Sequence, residues 1–166
     1  MDEIIKKVKN LAQKLLTESN GSHDWEHTLR VYKLAQHLAK VEEANLEVVQ
    51  IAALLHDIGR KYEDRSKGNI CHAEKGVELA KELLTKMKLD ENKIRQITHC
   101  IASHRFRDDK IPQTREAKVI FDADKLDSIG AVGIGRAFLF AGEVGARLHN
   151  PEIDINKTRP YTREDT

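Results

Sequence analysis

Val48-Val49-Gln50-Ile51-Ala52-Ala53-Leu54-Leu55-His56-Asp57-Ile58-Gly59 is the most hydrophobic run in the chain, and it closes on a histidine and an aspartate. A segment apolar nearly all round predicts a buried helix rather than an amphipathic surface one. Leu46 to Ile58 is therefore expected to be the central helix, with Gly59 as its C-terminal stop. An ionised carboxylate at the end of a buried helix is costly unless it is paired or coordinates a metal. His56 and Asp57 thus mark the first place to look for chemistry.

The same helical spacing extends outward in both directions. Ile4, Ile5, Val8, Leu11, Ala12, Leu15 and Leu16 recur as one apolar face, interrupted by Ser19-Asn20-Gly21-Ser22. A second helix is expected from Asp24, as N-cap, through Leu29, Val31, Leu34 and Leu38. Residues 60–69 are polar and contain glycine, which predicts a loop. Further helices are expected over Cys71 to Met87, Asp90 to His104 and Thr114 to Asp127, with a charged loop from Phe106 to Gln113. The segment Gly130 to Gly145 reads as a helix packed closely through its Gly and Ala residues. It lacks the strand–loop–helix setting and the Lys-Ser/Thr ending of a phosphate loop. No alternating strand pattern appears, so the fold class is all-α: a single-domain helical bundle over residues 1–148, with 149–166 as an extended or poorly ordered tail.

Composition narrows the function. A length of 166 residues leaves room for one core. Lys and Arg total 28 against 27 Asp and Glu, a net charge of +1, which disfavours a double-stranded nucleic-acid binder. No apolar run approaches the roughly 20 residues that span a bilayer. The amphipathic start Met1-Asp2-Glu3-Ile4-Ile5-Lys6-Lys7 does not read as a signal peptide. Cys71 and Cys100 have neither metal-type spacing nor disulfide density, so a cytoplasmic, reducing setting is expected.

Eight histidines are the compositional oddity. His27 shares a helical face with Val31, Leu34 and Leu38 and should point inward. Asp124 lies in the apolar setting Val119-Ile120-Phe121-Asp122-Ala123-Asp124. Neutral imidazoles and carboxylates together suit a divalent transition metal: Mn, Fe, Co, Ni or Zn.

Three stretches carry a family resemblance: His23-Asp24-Trp25-Glu26-His27-Thr28-Leu29-Arg30-Val31, Leu54-Leu55-His56-Asp57-Ile58-Gly59, and Phe121-Asp122-Ala123-Asp124-Lys125-Leu126-Asp127. In this order they resemble the HD superfamily of metal-dependent phosphohydrolases. With Ile129 to Phe138 they are similar to its small stand-alone hydrolases. The resemblance implies an all-α bundle holding a divalent metal through His27, His56, Asp57 and Asp124. It also implies attack of a metal-bound hydroxide on a phosphate ester or anhydride, often of a nucleotide. Two further histidines, His72 and His104, lie between the His-Asp pair and the last Asp. They are candidates either for a second metal or for phosphate binding. Asp57, Arg60 and Asp127 are the catalytic candidates; Asp127 lies on the same helix face as Asp124 and suits a partner of a ligand or a general base. His23, Lys61, Arg105 and Lys125 are candidates for substrate binding, and Arg107 flanks His104 as well.

The 5′-nucleotidase subgroup carries an acidic residue where this chain has Arg60. That departure suits a more highly charged substrate, and nucleoside triphosphate pyrophosphohydrolysis is the expected activity. The Gly-Tyr-Pro signature of cyclic-di-GMP phosphodiesterases is absent after Gly59. Two alternatives stand beside this reading. One is a di-iron oxygenase that uses His72 and His104 for its second iron. The other is a non-catalytic ligand-binding module. Related small proteins continue beyond the region of Tyr161 to Glu164 with another helical segment, so completion of the bundle by a second subunit, as a homo-oligomer, stays open.

Overall fold

Helix starts are set by side chains that satisfy the otherwise unpaired first-turn N–H groups. Asp24 accepts from the His27 N–H at 2.9 Å, Asn45 from Val48 at 3.2 Å, Asp90 from Asn92 and Lys93, and Thr114 from Ala117 at 3.1 Å. In this computed structural model, which describes residues 2–17, 23–105 and 110–146, these caps open four of the eight helices among the described residues. The helices are α1 (Asp2–Thr17), α2 (Trp25–Val41), α3 (Leu46–Leu55), α4 (Arg60–Arg65), α5 (His72–Lys86), α6 (Glu91–Ser103), α7 (Arg115–Leu126) and α8 (Gly130–Val144). No strand occurs among the described residues. The expected tail, 149–166, lies outside them.

Helix α3 is the centre. Val48, Val49, Ile51, Ala52, Ala53, Leu54 and Leu55 are all fully buried. Helices α1, α2, α6 and α7 pack around α3, and α5 packs on α6. Removing this much apolar surface from water supplies the main stabilising term, roughly 25 cal/mol per Å².

Three local expectations are corrected. Residues 60–69 are not simply a loop, because α4 forms over Arg60–Arg65. It buries none of its residues, so it has no hydrophobic period to announce it. The central helix ends at Leu55 instead of Ile58, and His56 to Gly59 form the turn into α4. Gly59 has φ −83°, so it is not a left-handed helix stop. Its reason is space: an added Cβ would overlap the carbonyl oxygen of His72 and stand 2.8 Å from the Gly76 nitrogen.

The third correction concerns α8. It is helical, but its glycines do not generally serve close packing. A Cβ at Gly133 would overlap the Ser128 carbonyl, whereas Gly135 and Gly142 meet nothing within 4 Å. Ile134, Phe138 and Leu139 remain 61%, 60% and 50% exposed, so the outer side of α8 is not covered by any described residue. A helix apolar all round normally signals burial. Here the sequence pattern shows that cover is needed and the described residues do not supply it.

Candidate metal centre

The inner ends of α2, α3, α5, α6 and α7 bring buried polar groups into the core. His27, His56, Asp57, His72 and His104 are all 2% exposed or less. Each imidazole is oriented through its Nδ1. His56 Nδ1 bonds the Ala53 carbonyl at 2.8 Å, and His104 Nδ1 bonds the Ile101 carbonyl at 2.7 Å. His27 Nδ1 bonds Asp127 Oδ2 at 2.8 Å, and His72 Nδ1 bonds the Glu63 carboxylate. Carbonyls and carboxylates only accept, so each Nδ1 carries the proton in the neutral ring. Every Nε2 then presents a lone pair to the interior.

Those lone pairs form two groups. His27 Nε2 and His56 Nε2 face each other at 3.3 Å, with Asp124 Oδ1 3.4 Å from His27. His72 Nε2 and His104 Nε2 stand 3.1 Å apart beside Asp57 Oδ1, which is 3.2 Å from His72. Asp57 bridges the groups, because its Oδ2 lies 3.7 Å from His27 Nε2 and 3.6 Å from His56 Nε2. Acceptors converging in a buried site repel one another unless a cation or a proton lies between them. The donor set of His27, His56 and Asp124, with Asp57 beside it, therefore fits a divalent metal.

Electrostatics separate the two groups. In the second, a cation is already present: Arg60 donates to Asp57 Oδ1 at 3.2 Å and to His72 Nε2 at 3.2 Å. The first has no guanidinium contact among the described hydrogen bonds; its cation is the Lys125 ammonium, on Asp124 Oδ2 and not on the Oδ1 that faces His27. Burial drives the His56 pKa down to about 4 and the His72 pKa down to about 3. Burial would lower His27 too, but the hydrogen-bonded carboxylates of Asp124 and Asp127 outweigh it and raise that pKa. Asp57 and Asp124 are held well below the usual carboxylate range. The burial penalty is overcome at Asp57 by Arg60 and His56, and at Asp124 by His27, whose Nε2 donates to the carboxylate when the ring is charged.

The remaining candidates fall in different places. Asp127 has both carboxylate oxygens engaged: Arg30 Nε donates to Oδ1 at 2.7 Å, and Oδ2 accepts from His27 and from Arg136 at 2.8 Å. This arrangement suits a residue that orients His27 rather than one that takes a proton from water. Lys125 reaches Asp124 Oδ2 at 2.7 Å and the His104 carbonyl at 3.0 Å. Arg105 donates to Glu63 Oε1 at 3.1 Å and to Cys71 Sγ at 3.3 Å. His23 meets the His27 ring edge-on, with centroids 5.6 Å apart, and burial pushes its pKa down to about 2. It is therefore a neutral ring near neutral pH, not a cation for phosphate. Lys61 sets its ammonium over the Tyr62 ring at 5.7 Å. Arg107 lies outside the described residues.

Three participants escape sequence reading. Glu63 joins Arg60, His72 and Arg105, and it is i+3 from Arg60, a relation visible only once 60–65 is known to be helical. Arg30 is one turn from His27 on the same face, a signal that was available. Arg136 lies in the Gly-rich segment, and nothing local points to Asp127 as its partner.

Comparison with known proteins gives concordant results. The family model for the HD domain matches residues 24–129. The chain is 38% identical over 150 residues to the uncharacterized protein YpgQ of Bacillus subtilis, covering 87% of this chain and 70% of that one. It is similar to the crystal structure of a predicted HD superfamily hydrolase from an uncultured Thermotogales bacterium, with a TM-score of 0.70 and 36% identity over 81% of this chain and 74% of that one. It is also similar to the crystal structure of Bacillus subtilis YpgQ in complex with ADP, with a TM-score of 0.68 and 35% identity over 88% of this chain and 72% of that one.

Proposed function

The chain belongs to the HD-domain family, a family of metal-dependent hydrolases, and from that premise we propose that it hydrolyses a nucleotide phosphoanhydride, releasing pyrophosphate from a nucleoside triphosphate. The observation that carries the reading is the set of converging Nε2 lone pairs beside the buried Asp57 and the partly buried Asp124, with Arg60 and Lys125 adjoining them. The ADP bound by the related YpgQ supports a nucleotide substrate.

His27, His56, Asp57 and Asp124 would hold one divalent ion. Such an ion polarises a phosphoryl oxygen and brings the pKa of water from 15.7 toward about 7. The chain's own groups supply the rest. Asp57, with one oxygen facing each histidine pair, orients the attacking water. His104 Nε2, with its Nδ1 fixed on the Ile101 carbonyl, is placed to accept the proton from that water. Glu63 and His72 hold the Arg60 guanidinium at the centre, where it meets the negative charge of the phosphate chain. Glu63 also holds Arg105 nearby.

A two-iron oxygenase would need His72, His104 and Asp57 for its second ion. The Arg60 guanidinium contacts two of those groups and supplies positive charge there, which favours the one-ion reading. The test is turnover of a nucleotide panel with Mn, Co or Ni, with products separated by ion-exchange chromatography. Nucleoside monophosphate and pyrophosphate are expected, and His56→Ala should abolish their release. Turnover that survives His56→Ala, or none with any metal, refutes the reading. The second outcome, with Tm lowered by ligand substitutions, supports the non-catalytic alternative.

A further inference from the structure

We propose that the cleft between the start of α2 and the inner face of α8 receives the planar base of the nucleotide, with Phe140 as its stacking surface; this rests on the nucleotide reading above. The cleft measures about 190 Å³ and is lined by His23, Ser128, Gly133, Arg136, Ala137 and Phe140. Pockets for whole small molecules run from roughly 300 to 1,000 Å³, so this space fits one part of a ligand.

Its position says which part. His23 bridges the cleft and the metal centre: its ring meets His27 at 5.6 Å and Phe140 at 6.3 Å, edge-on in both cases. Arg136, on the cleft wall, reaches Asp127, which in turn holds His27. A phosphate at the centre therefore leaves its organic portion beside His23. No acidic side chain lines the cleft among the described residues.

Its chemistry says what that portion is. Phe140 and Arg136 are one turn apart on α8, with Ala137 between them and Gly133 a turn earlier, so these four share a face. Gly133 lets the Ser128 backbone close one end of the cleft, Ala137 leaves the floor open, and Phe140 is 38% exposed. A flat ring stacks on such a surface, while the Ser128 hydroxyl can serve hydrogen-bonding groups at its edge. A base offers a π face and a polar edge together, whereas an alkyl or sugar leaving group offers only one of the two.

The test compares ATP and GTP with inorganic tripolyphosphate, which presents the same anhydride without a base. Turnover is measured with Mn, and binding by equilibrium dialysis with Ca. Wild type should prefer the nucleotides. Phe140→Ala should lower the nucleotide-to-tripolyphosphate ratio of kcat/KM by about five- to 150-fold, the range expected for losing one stacking partner, mainly through KM. Ala137→Leu, which fills the floor without removing a ring, should lower the same ratio. Equal use of tripolyphosphate by wild type, or parallel losses on both substrates in both variants, overturns the proposal. Should nothing be turned over, the hydrolase reading fails separately, and dialysis decides the cleft. ATP retained by wild type and lost by Phe140→Ala upholds it, and equal retention or none refutes it.

Discussion

His27 and Asp127 are 100 residues apart in sequence, and the Nδ1 of one meets Oδ2 of the other at 2.8 Å inside the core. That contact fixes the His27 tautomer, so Nε2 is the nitrogen that faces Asp124 and His56. The hydrogen bond from His27, seconded by Arg30, keeps the Asp127 pKa down at about 2 despite burial, and Arg136 holds the carboxylate from a further side. The relation has the form of a carboxylate–histidine–metal chain, in which the outer carboxylate sets ring orientation and basicity.

Asp127→Asn keeps the shape of the contact and removes its charge. It should lower metal affinity or activity by roughly 10- to 100-fold, the usual cost of losing such a partner. Titration of bound Mn by isothermal calorimetry checks this, with kcat measured at saturating metal. Unchanged affinity and unchanged kcat would mean that Asp127 only pins the helices together.

Arg60 stands at the second histidine pair in a place where positive charge is needed. Wild type is expected to bind one divalent ion per chain. Arg60→Met should expose Asp57 Oδ1, His72 Nε2 and His104 Nε2 and allow a second ion to bind. Elemental analysis after gel filtration gives the count. Two ions in wild type would contradict the one-ion reading.

Gly59 is tight against α5. Gly59→Ala forces the His56-Asp57 turn away from the His72 backbone. Overpacking of this kind costs about 1–3 kcal/mol. At about 2–4 °C per kcal/mol for a chain of this size, Tm should fall by several degrees, and activity should fall with it. Gly135→Ala, where a Cβ meets nothing within 4 Å, is the control and should leave Tm unchanged or slightly higher.

Acid should destabilise the metal-free protein early. His56, His72 and His23 titrate at about 4, 3 and 2 when folded, against an ordinary value near 6.5. The unfolded chain therefore binds more protons between these values, so stability falls as pH drops below about 6.5. His27, raised by its carboxylates, acts in the opposite sense but is a single group. Glu63 and Asp127, both held down at about 2, add to the loss below about pH 4.5. Thermal melts in chelator from pH 8 to pH 4 should show Tm declining from about pH 6.5. A Tm that rises on acidification would contradict the neutral state of the three rings.

What was readable in the chain was whatever repeats with the helical period or ends a helix. The apolar run Val48 to Leu55 marks the central helix because every one of its faces avoids water. The cap at Asp24 marks where α2 begins, and Asp90 and Thr114 open the periodic segments of α6 and α7. His27 is legible because it shares an inward face with Val31 and Ala35. Helix α4 was not, since it buries nothing and carries no period.

Sequence by itself determined that the chain is a helical bundle, and that His27, His56, Asp57 and Asp124 belong to buried or helix-ending positions, because local periodicity alone decides which faces leave water. Only the tertiary structure decided which buried groups meet: that Asp127 holds His27, that Arg60 serves Asp57 and His72, and that Glu63 gathers Arg60, Arg105 and His72. The pairings of His27 with Asp127 and of Glu63 with Arg105 join helices distant in the chain. Their physical cause is the requirement that every charge removed from water find a partner, and that requirement is met in space, without any trace in the spacing of residues.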